Sequence, residues 1–265
     1  MKKTSQIEAT LGSPDRFGYE WTKYSDILKE YEEQFLRWMP FLAQKDWRNI
    51  SFIDVGCGMG RNSYWPLSYG ASFGVAIDMD QGSLNSAKKN LSGFNNIEIK
   101  LESAYNINYS NKFDIAFSIG VIHHLEFPHE ALKEMFNAVK PGGHVAIWVY
   151  GYENNEWIVN FFNPFRKLLF SKLSIKLVHH LSLYPALFLY FFIKLNLINL
   201  DYFKLLKKFK FSHIRSIVFD QMLPRISNYW KREEVENLMR DAGLIDIRLE
   251  NVNNISWASI GKKPN

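Results

Sequence analysis

Residues 54–62 read DVGCGMGRN and follow directly on the apolar run ISFI at 50–53. Gly56, Gly58 and Gly60 fall on alternate positions. Glycine adopts positive φ without steric cost and lets other atoms approach the backbone closely. A glycine turn between a strand and a helix presents backbone N–H groups to a nucleotide-like ligand. Residues 51–55 therefore read as a strand, and 60–69 as the helix that leaves the turn.

The alternation continues outward from that turn. SFGVAID (72–78), IEIKL (97–101), FDIAFSIG (113–120) and HVAIWVY (144–150) read as strands. QGSLNSAKKNL (81–91) and PHEALKEMFNAVKPGG (128–143) read as helices, the second opened by proline and stopped by Pro-Gly-Gly. Near the end, KREEVENLMRDAGL (231–244) is amphipathic. IDIRLEN (245–251) and ISWASIGKK (255–263) follow as strands joined by a turn too short for a parallel crossover. The expected fold class is α/β, a doubly wound seven-stranded Rossmann-like sheet with an antiparallel C-terminal hairpin. Residues 151–225 interrupt the pattern and read as a helical insertion after the fifth strand.

The bulk properties bound the answer. The chain has 265 residues, enough for one large domain with an insertion, and its 47% hydrophobic content suits a full core. The net charge is +5, but residues 151–215 carry ten Lys/Arg against three acids, or +7, leaving −2 elsewhere. One cysteine, Cys57, excludes an internal disulfide and suits a reducing compartment. The first residues hold lysines without an apolar run, so no secretion signal is expected, and the expected location is cytoplasmic. No cluster of acids and histidines has metal-ligand spacing, so no metal is expected.

A nicotinamide-type turn would space its glycines as G-x-G-x-x-G. Here the spacing is G-x-G-x-G, with Asp54 two residues before it and Asp78 at the end of the second strand. An acid at that strand end can bond the hydroxyls of a ribose. DVGCGMGRN, VAIDMD, FDIAFSIGVIHHL and LKEMFNAVKPGGHVAIWVY, in this order, resemble the class I S-adenosylmethionine-dependent methyltransferases. The resemblance covers residues 50–150 well and the terminal hairpin more loosely.

That resemblance implies S-adenosyl-L-methionine as cofactor and assigns its site. Gly56, Cys57, Gly58 and Gly60 would line its methionine and ribose, Asp54 would organise the loop, and Asp78 would hold the ribose hydroxyls. Met79 would flank the adenine, Ser103 and Ala104 would stand beside it, with Glu102 one position early, and Gly120 would lie near the transferred methyl. RFGYEWTKYSD (16–26) resembles a segment that packs over the cofactor in similar bacterial enzymes, with Tyr19, Trp21 and Tyr24 closing that side. The implied division is an N-terminal helical segment over 1–48, a cofactor-binding core over 49–150 and 226–265, and an insertion or lid over 151–225.

The acceptor side is read from residue chemistry. His123 and His124 follow the fourth strand at the carboxyl edge, where a histidine can serve as general base; at least one of them is expected to be structural. Cys57 is expected to be only a small residue in a tight turn. Arg61 reads equally as a solvated side chain or a carboxylate contact. His129 reads as surface, and His179 and His180 as packing or polar-face residues of the insertion. Asp220, Arg225 and Tyr229 return the chain to the core and are the candidates for shaping the acceptor pocket, beside the plain alternative of a loop.

The insertion is apolar and basic together. LSLYPALFLYFFIKLNLINL (181–200) is long enough for a membrane span, but Pro185 and Lys194 favour a buried or interfacial helix. A lid ranks first, a homodimer surface second and nucleic-acid binding third; peripheral contact with the inner face of a membrane also fits the basic and apolar mixture. The expected function is O-methylation of a small-molecule or lipid-linked sugar acceptor, without a nucleic-acid partner. A quinone or polyketide-like aromatic acceptor is the alternative, and a non-catalytic cofactor-binding accessory protein is the reading from another class.

Overall fold

The computed structural model describes residues 12–195 and 201–265. Residues 1–11 of the N-terminal segment, and 196–200 of the insertion, lie outside the described residues.

Seven strands form one sheet: β1 (Ser51–Val55), β2 (Phe73–Asp78), β3 (Ile97–Leu101), β4 (Phe113–Ile119), β5 (Val139–Tyr150), β6 (Ile245–Val252) and β7 (Ser256–Lys262). Their order is β3-β2-β1-β4-β5-β7-β6. The first five run parallel, and β7 inserts antiparallel between β5 and β6. Strands β1 and β4 are buried almost throughout, as parallel strands covered on both faces must be. The hairpin turns on Asn253 and Asn254, both at positive φ, the residue type that best tolerates that region after glycine.

Helices flank the sheet: α1 (Pro14–Lys23), α2 (Tyr31–Trp38), α3 (Arg61–Ser68), α4 (Gln81–Asn90) and α5 (Pro128–Ala138). The expected helix over 128–143 is shorter in the structure. It stops at Ala138, and Val139 already pairs with Phe113. The Pro-Gly-Gly sequence sits inside β5 at a register shift between Phe113 and Ile115, so it bends a strand rather than ending a helix.

The insertion is helical. Two π-helical turns, Ile158–Phe162 and Arg166–Phe170, flank α6 (Asn163–Phe165). Then come α7 (Ile175–Leu181), α8 (Leu183–Lys194), α9 (Asp201–Leu206) and α10 (Phe211–Met222), before α11 (Arg232–Asp241) rejoins the sheet. One sheet face buries Val55, Ile77, Leu132, Met135 and Leu238; the other buries Phe35, Trp47, Phe52 and Phe117. Each such side chain contributes about 1.5–3 kcal/mol through the apolar surface it removes from water.

One buried cation joins the N-terminal helix to the insertion. Arg16 is 3% exposed. Its Nε donates to the Leu223 carbonyl at 2.7 Å, and its terminal nitrogens donate to the carbonyls of Phe170 at 2.9 Å and of Ser171 and Leu173 at 3.3 Å. These carbonyls are helix-end acceptors that would otherwise be short of donors.

Candidate active site

The glycine turn and the insertion enclose a cavity of about 910 Å3 at the carboxyl edge of the sheet. Its wall has two chemically distinct ends.

The first end is the turn between β1 and α3. Gly56, Gly58 and Gly60 all have positive φ, at 81°, 53° and 81°. A Cβ on Gly56 would lie 2.4 Å from Val121 Cγ2, and one on Gly58 would lie 3.0 Å from Trp21 Nε1. Gly56 and Gly58 therefore tolerate a side chain neither for their dihedrals nor for their space. Asp78 fixes it from the neighbouring strand: Oδ2 accepts the Gly58 N–H at 2.8 Å and Oδ1 accepts the Asp80 N–H at 3.0 Å. Burial raises the Asp78 carboxyl above its usual range, against those N–H groups.

Gly56, Cys57, Gly58, Asp78, Met79, Ser103, Ala104 and Gly120 all line the cavity, as does Glu102. Asp54 does not. It is buried beneath the turn, where Ser63 Oγ donates to Oδ2 at 2.6 Å, while Oδ1 has no partner. Burial pushes its carboxyl up to about 7, with Asp78 adding to the effect. Asp54 thus lies behind the turn, bonded to the first turn of α3, and is not a wall residue. Cys57 is buried, and burial raises its thiol well above the ordinary range, which leaves it a small apolar filler.

The second end is the larger chamber beneath α10. Here the structure differs from several expectations. His123 is fully buried, stacked 3.9 Å from the Tyr150 ring, and does not line the cavity. Burial holds it well below its usual range, and neither ring nitrogen has a partner. His124 does line the cavity, but its Nδ1 donates to the Ile226 carbonyl at 2.8 Å and burial lowers it to about 3. A ring so weakly basic makes a poor proton acceptor.

The aromatic residues of the N-terminal segment divide. Trp21 lines the cavity over the glycine turn. Tyr19 and Tyr24 turn instead toward the insertion: Tyr19 packs against Phe219, and the Tyr24 hydroxyl bonds His179 Nε2 at 2.9 Å. Arg225 is also outside the cavity; it is exposed, donating to the Gly12 carbonyl and to Asp15. Asp220 and Tyr229 are wall residues. His129 and His180 are on the surface.

Apart from Arg61, the residues that complete the chamber were not marked by their sequence context. Glu20, Arg61, Tyr150, Ser216 and Gln221 line it together with Asp220. Tyr150 donates its hydroxyl to Asp220 Oδ2 at 3.0 Å and accepts from Gln221 Nε2 at 2.9 Å. Glu20 is fully buried, with Oε1 accepting from Ser216 Oγ at 2.7 Å and Oε2 unpaired. Burial raises both carboxyls: Asp220 to about 6, Glu20 well above its normal range with Asp220 adding to the rise. The Tyr150 hydrogen bond, Arg61 and Arg166 oppose the rise at Asp220. Burial thus favours the protonated form at both acids, and at Asp220 the Tyr150 hydrogen bond and the nearby cations counter it.

Arg61 sits in a ring of aromatics. Its guanidinium carbon lies 5.2 Å from the Trp21 ring, 4.9 Å from Tyr31 and 5.2 Å from Trp38. These faces attract a cation that is partly removed from water.

Comparison with known proteins agrees with this geometry. Residues 53–147 match the family described as "Methyltransferase domain". The mitochondrial ubiquinone biosynthesis O-methyltransferase of Dictyostelium discoideum is 30% identical over 134 residues, 46% of this chain and 41% of that protein. A tRNA U34 carboxymethyltransferase from Pseudoalteromonas atlantica is 29% identical over 110 residues, 41% of this chain and 34% of that protein. The chain thus spans less than half the length of either relative in the matched region. Human N-acetylserotonin methyltransferase, solved in complex with SAM, superposes with a TM-score of 0.56 at 10% identity, over 95% of this chain and 56% of that one, a likeness of fold.

Residues 53–147 match a methyltransferase domain, and the sheet order around them supports a class I S-adenosylmethionine-dependent methyltransferase core. The cofactor of that class is S-adenosyl-L-methionine, and the residues present fit it: glycines at positive φ where a Cβ would meet close neighbours, and a strand-end carboxylate beside the turn's N–H groups.

Proposed function

We propose that this protein is an S-adenosylmethionine-dependent O-methyltransferase acting on a hydroxyl of a small, sugar-like or lipid-linked acceptor. The observation that carries this reading is the hydrogen-bonded set Gln221, Tyr150 and Asp220 on the wall of the chamber that continues from the glycine turn.

The bound cofactor supplies an electrophilic methyl group on a positively charged sulfur. The chain's own residues align the acceptor and receive its proton. Tyr150 already donates to Asp220 Oδ2, so Oδ1 is the oxygen left to take a proton from the hydroxyl. Glu20, whose carboxyl burial raises well above its normal range, faces the same chamber with Oε2 unpaired and is placed to bond a second oxygen of the acceptor. Arg61 keeps Asp220 ionised by opposing the effect of burial. Trp21 and the helices of the insertion keep water from the chamber, which strengthens each of these interactions.

Aromatic walls support a second reading, a phenolic or quinone-type acceptor. Tyr150 and Tyr229 stack with ring centroids 5.3 Å apart, and Trp38 and Trp148 lie 5.0 Å apart. Such faces hold flat rings as readily as the apolar faces of sugars.

Transfer of a labelled methyl group from the cofactor to a panel of glycosides, polyprenyl-linked sugars, catechols, quinols and bulk tRNA tests both readings. Labelled ether formation in the sugar set supports the first, and in the phenol set the second. Labelling only of bulk tRNA, or of nothing while the cofactor still binds, would overturn the small-molecule assignment.

A further inference from the structure

Helices α7 and α8 form a nearly continuous apolar stretch, Ile175–Lys194, long enough to cross a bilayer, yet only 22% of its most apolar part is buried. The exposed residues are ordered. Along α8, Tyr184, Leu187, Phe188, Phe191 and Leu195 recur every three or four positions, the spacing of one helix face. The helical run before it repeats the pattern with Trp157, Phe161, Phe165 and Leu168, of which Phe161 is 76% exposed. Soluble proteins do not leave so many large apolar side chains together in water without a partner.

Charge selects the partner. The sequence from 157 to 200 contains no aspartate or glutamate, while Lys167, Lys172, Lys176 and Lys194 are exposed among the apolar residues. A second copy of the chain would bring the same cations against themselves across a two-fold axis. An anionic lipid surface complements both features: acyl chains take the rings and headgroups take the lysines.

The opposite side of the same helices is committed to the protein. Val178 of α7 packs with Phe219, Met222 and Leu223, and Ile193 of α8 is buried in the core that includes Ile214 and Phe209. A span across the membrane would strip that packing away, so the helices lie in the plane of the interface.

We infer that the outer face of Trp157–Leu168 and α8 docks this protein on an anionic bilayer. Trp157, Ile158 and Leu189 also line the cavity, so docking sets the chamber wall at the level of the lipid. The docking itself does not depend on the methyl-transfer reading; the reach of the chamber toward a lipid-held acceptor does.

The test is sedimentation of the full-length protein with vesicles of phosphatidylcholine alone or mixed with phosphatidylglycerol. The parent should pellet with the anionic vesicles and be released by high salt. Phe188→Asp with Phe191→Asp should abolish pelleting, with cofactor binding by calorimetry unchanged. Each of Lys167→Gln, Lys172→Gln and Lys176→Gln should lower partitioning about fivefold. A parent that stays in the supernatant with anionic vesicles would overturn the inference. So would a parent that sediments as a dimer without lipid and becomes monomeric in the double Asp variant.

Discussion

The Tyr150 hydroxyl at the end of β5 donates to the Asp220 carboxylate on α10 at 3.0 Å. This bond joins the sheet that carries the cofactor turn to the helix that roofs the acceptor chamber. It also lowers the Asp220 carboxyl against the rise that burial imposes.

Asp220→Asn keeps the shape of that contact and removes the proton acceptor. Turnover should fall by about 100-fold or more, with KM for the acceptor changed much less. In the parent, rate should rise with pH through about 6, where Asp220 ionises, and level off above it. The variant should lack that acid limb. A pH-rate profile identical in parent and variant would remove Asp220 from the chemistry.

Arg61 tunes the same acid from a distance. Its charge lowers both Asp220 and Glu20. Arg61→Met should therefore move the acid limb upward, to higher pH. It should also cost about 1–2 kcal/mol of stability as the cation leaves the rings of Trp21, Tyr31 and Trp38. Kinetic and urea-melt measurements on the one variant check both; a downward shift of the limb would contradict the electrostatic account.

Asp78→Ala deletes the acceptor that fixes the Gly58 and Asp80 N–H groups. Cofactor affinity should weaken by about 1–3 kcal/mol, the usual consequence of leaving buried donors unpaired. Titration calorimetry reads this directly, and parental affinity in the variant would move the cofactor away from the turn.

Asp54 makes the cofactor-free fold sensitive to alkali. Its carboxyl is raised to about 7 from an ordinary value of 3.8, so the folded chain binds that proton more tightly than the unfolded one. The stability it contributes is full below pH 3.8 and is lost as pH rises through about 7. Asp54→Asn can still accept from Ser63 and cannot ionise. Its melting temperature should exceed the parent's at about pH 9 and approach it at about pH 5. Equal alkaline losses in both proteins would show that Asp54 is not the group responsible.

Much of the fold was legible because strands buried on both faces write themselves as short, largely apolar runs: β1 and β2 fall where SFIDV and FGVAID stand. The beginning of β5 was not legible, because Pro-Gly-Gly serves equally as a helix stop and as a bulge, and only pairing with β4 decides. At the site, residue type misled where helix geometry would have guided. Phe17, Glu20 and Trp21 share a face of α1 and line the cavity, whereas Tyr19 lies off that face. His213, Ser216, Ile217 and Asp220 repeat that spacing on α10, three polar groups and an isoleucine on one stripe of the helix. His123 and His124 are adjacent in sequence, and the tight turn after β4 sends one into the core and the other onto the wall.

The bond from Arg16 to the Leu223 carbonyl closes a loop of 207 residues. During synthesis, α1 emerges first and its buried arginine finds these acceptors only after the whole insertion has left the ribosome. Until then the sheet can assemble from its near neighbours, but the chamber has neither roof nor floor. Loop closure of that length is an entropically slow event. The acceptor chamber should therefore close in a nascent chain only after α10 has emerged, so synthesis separates formation of the glycine turn from formation of the chamber.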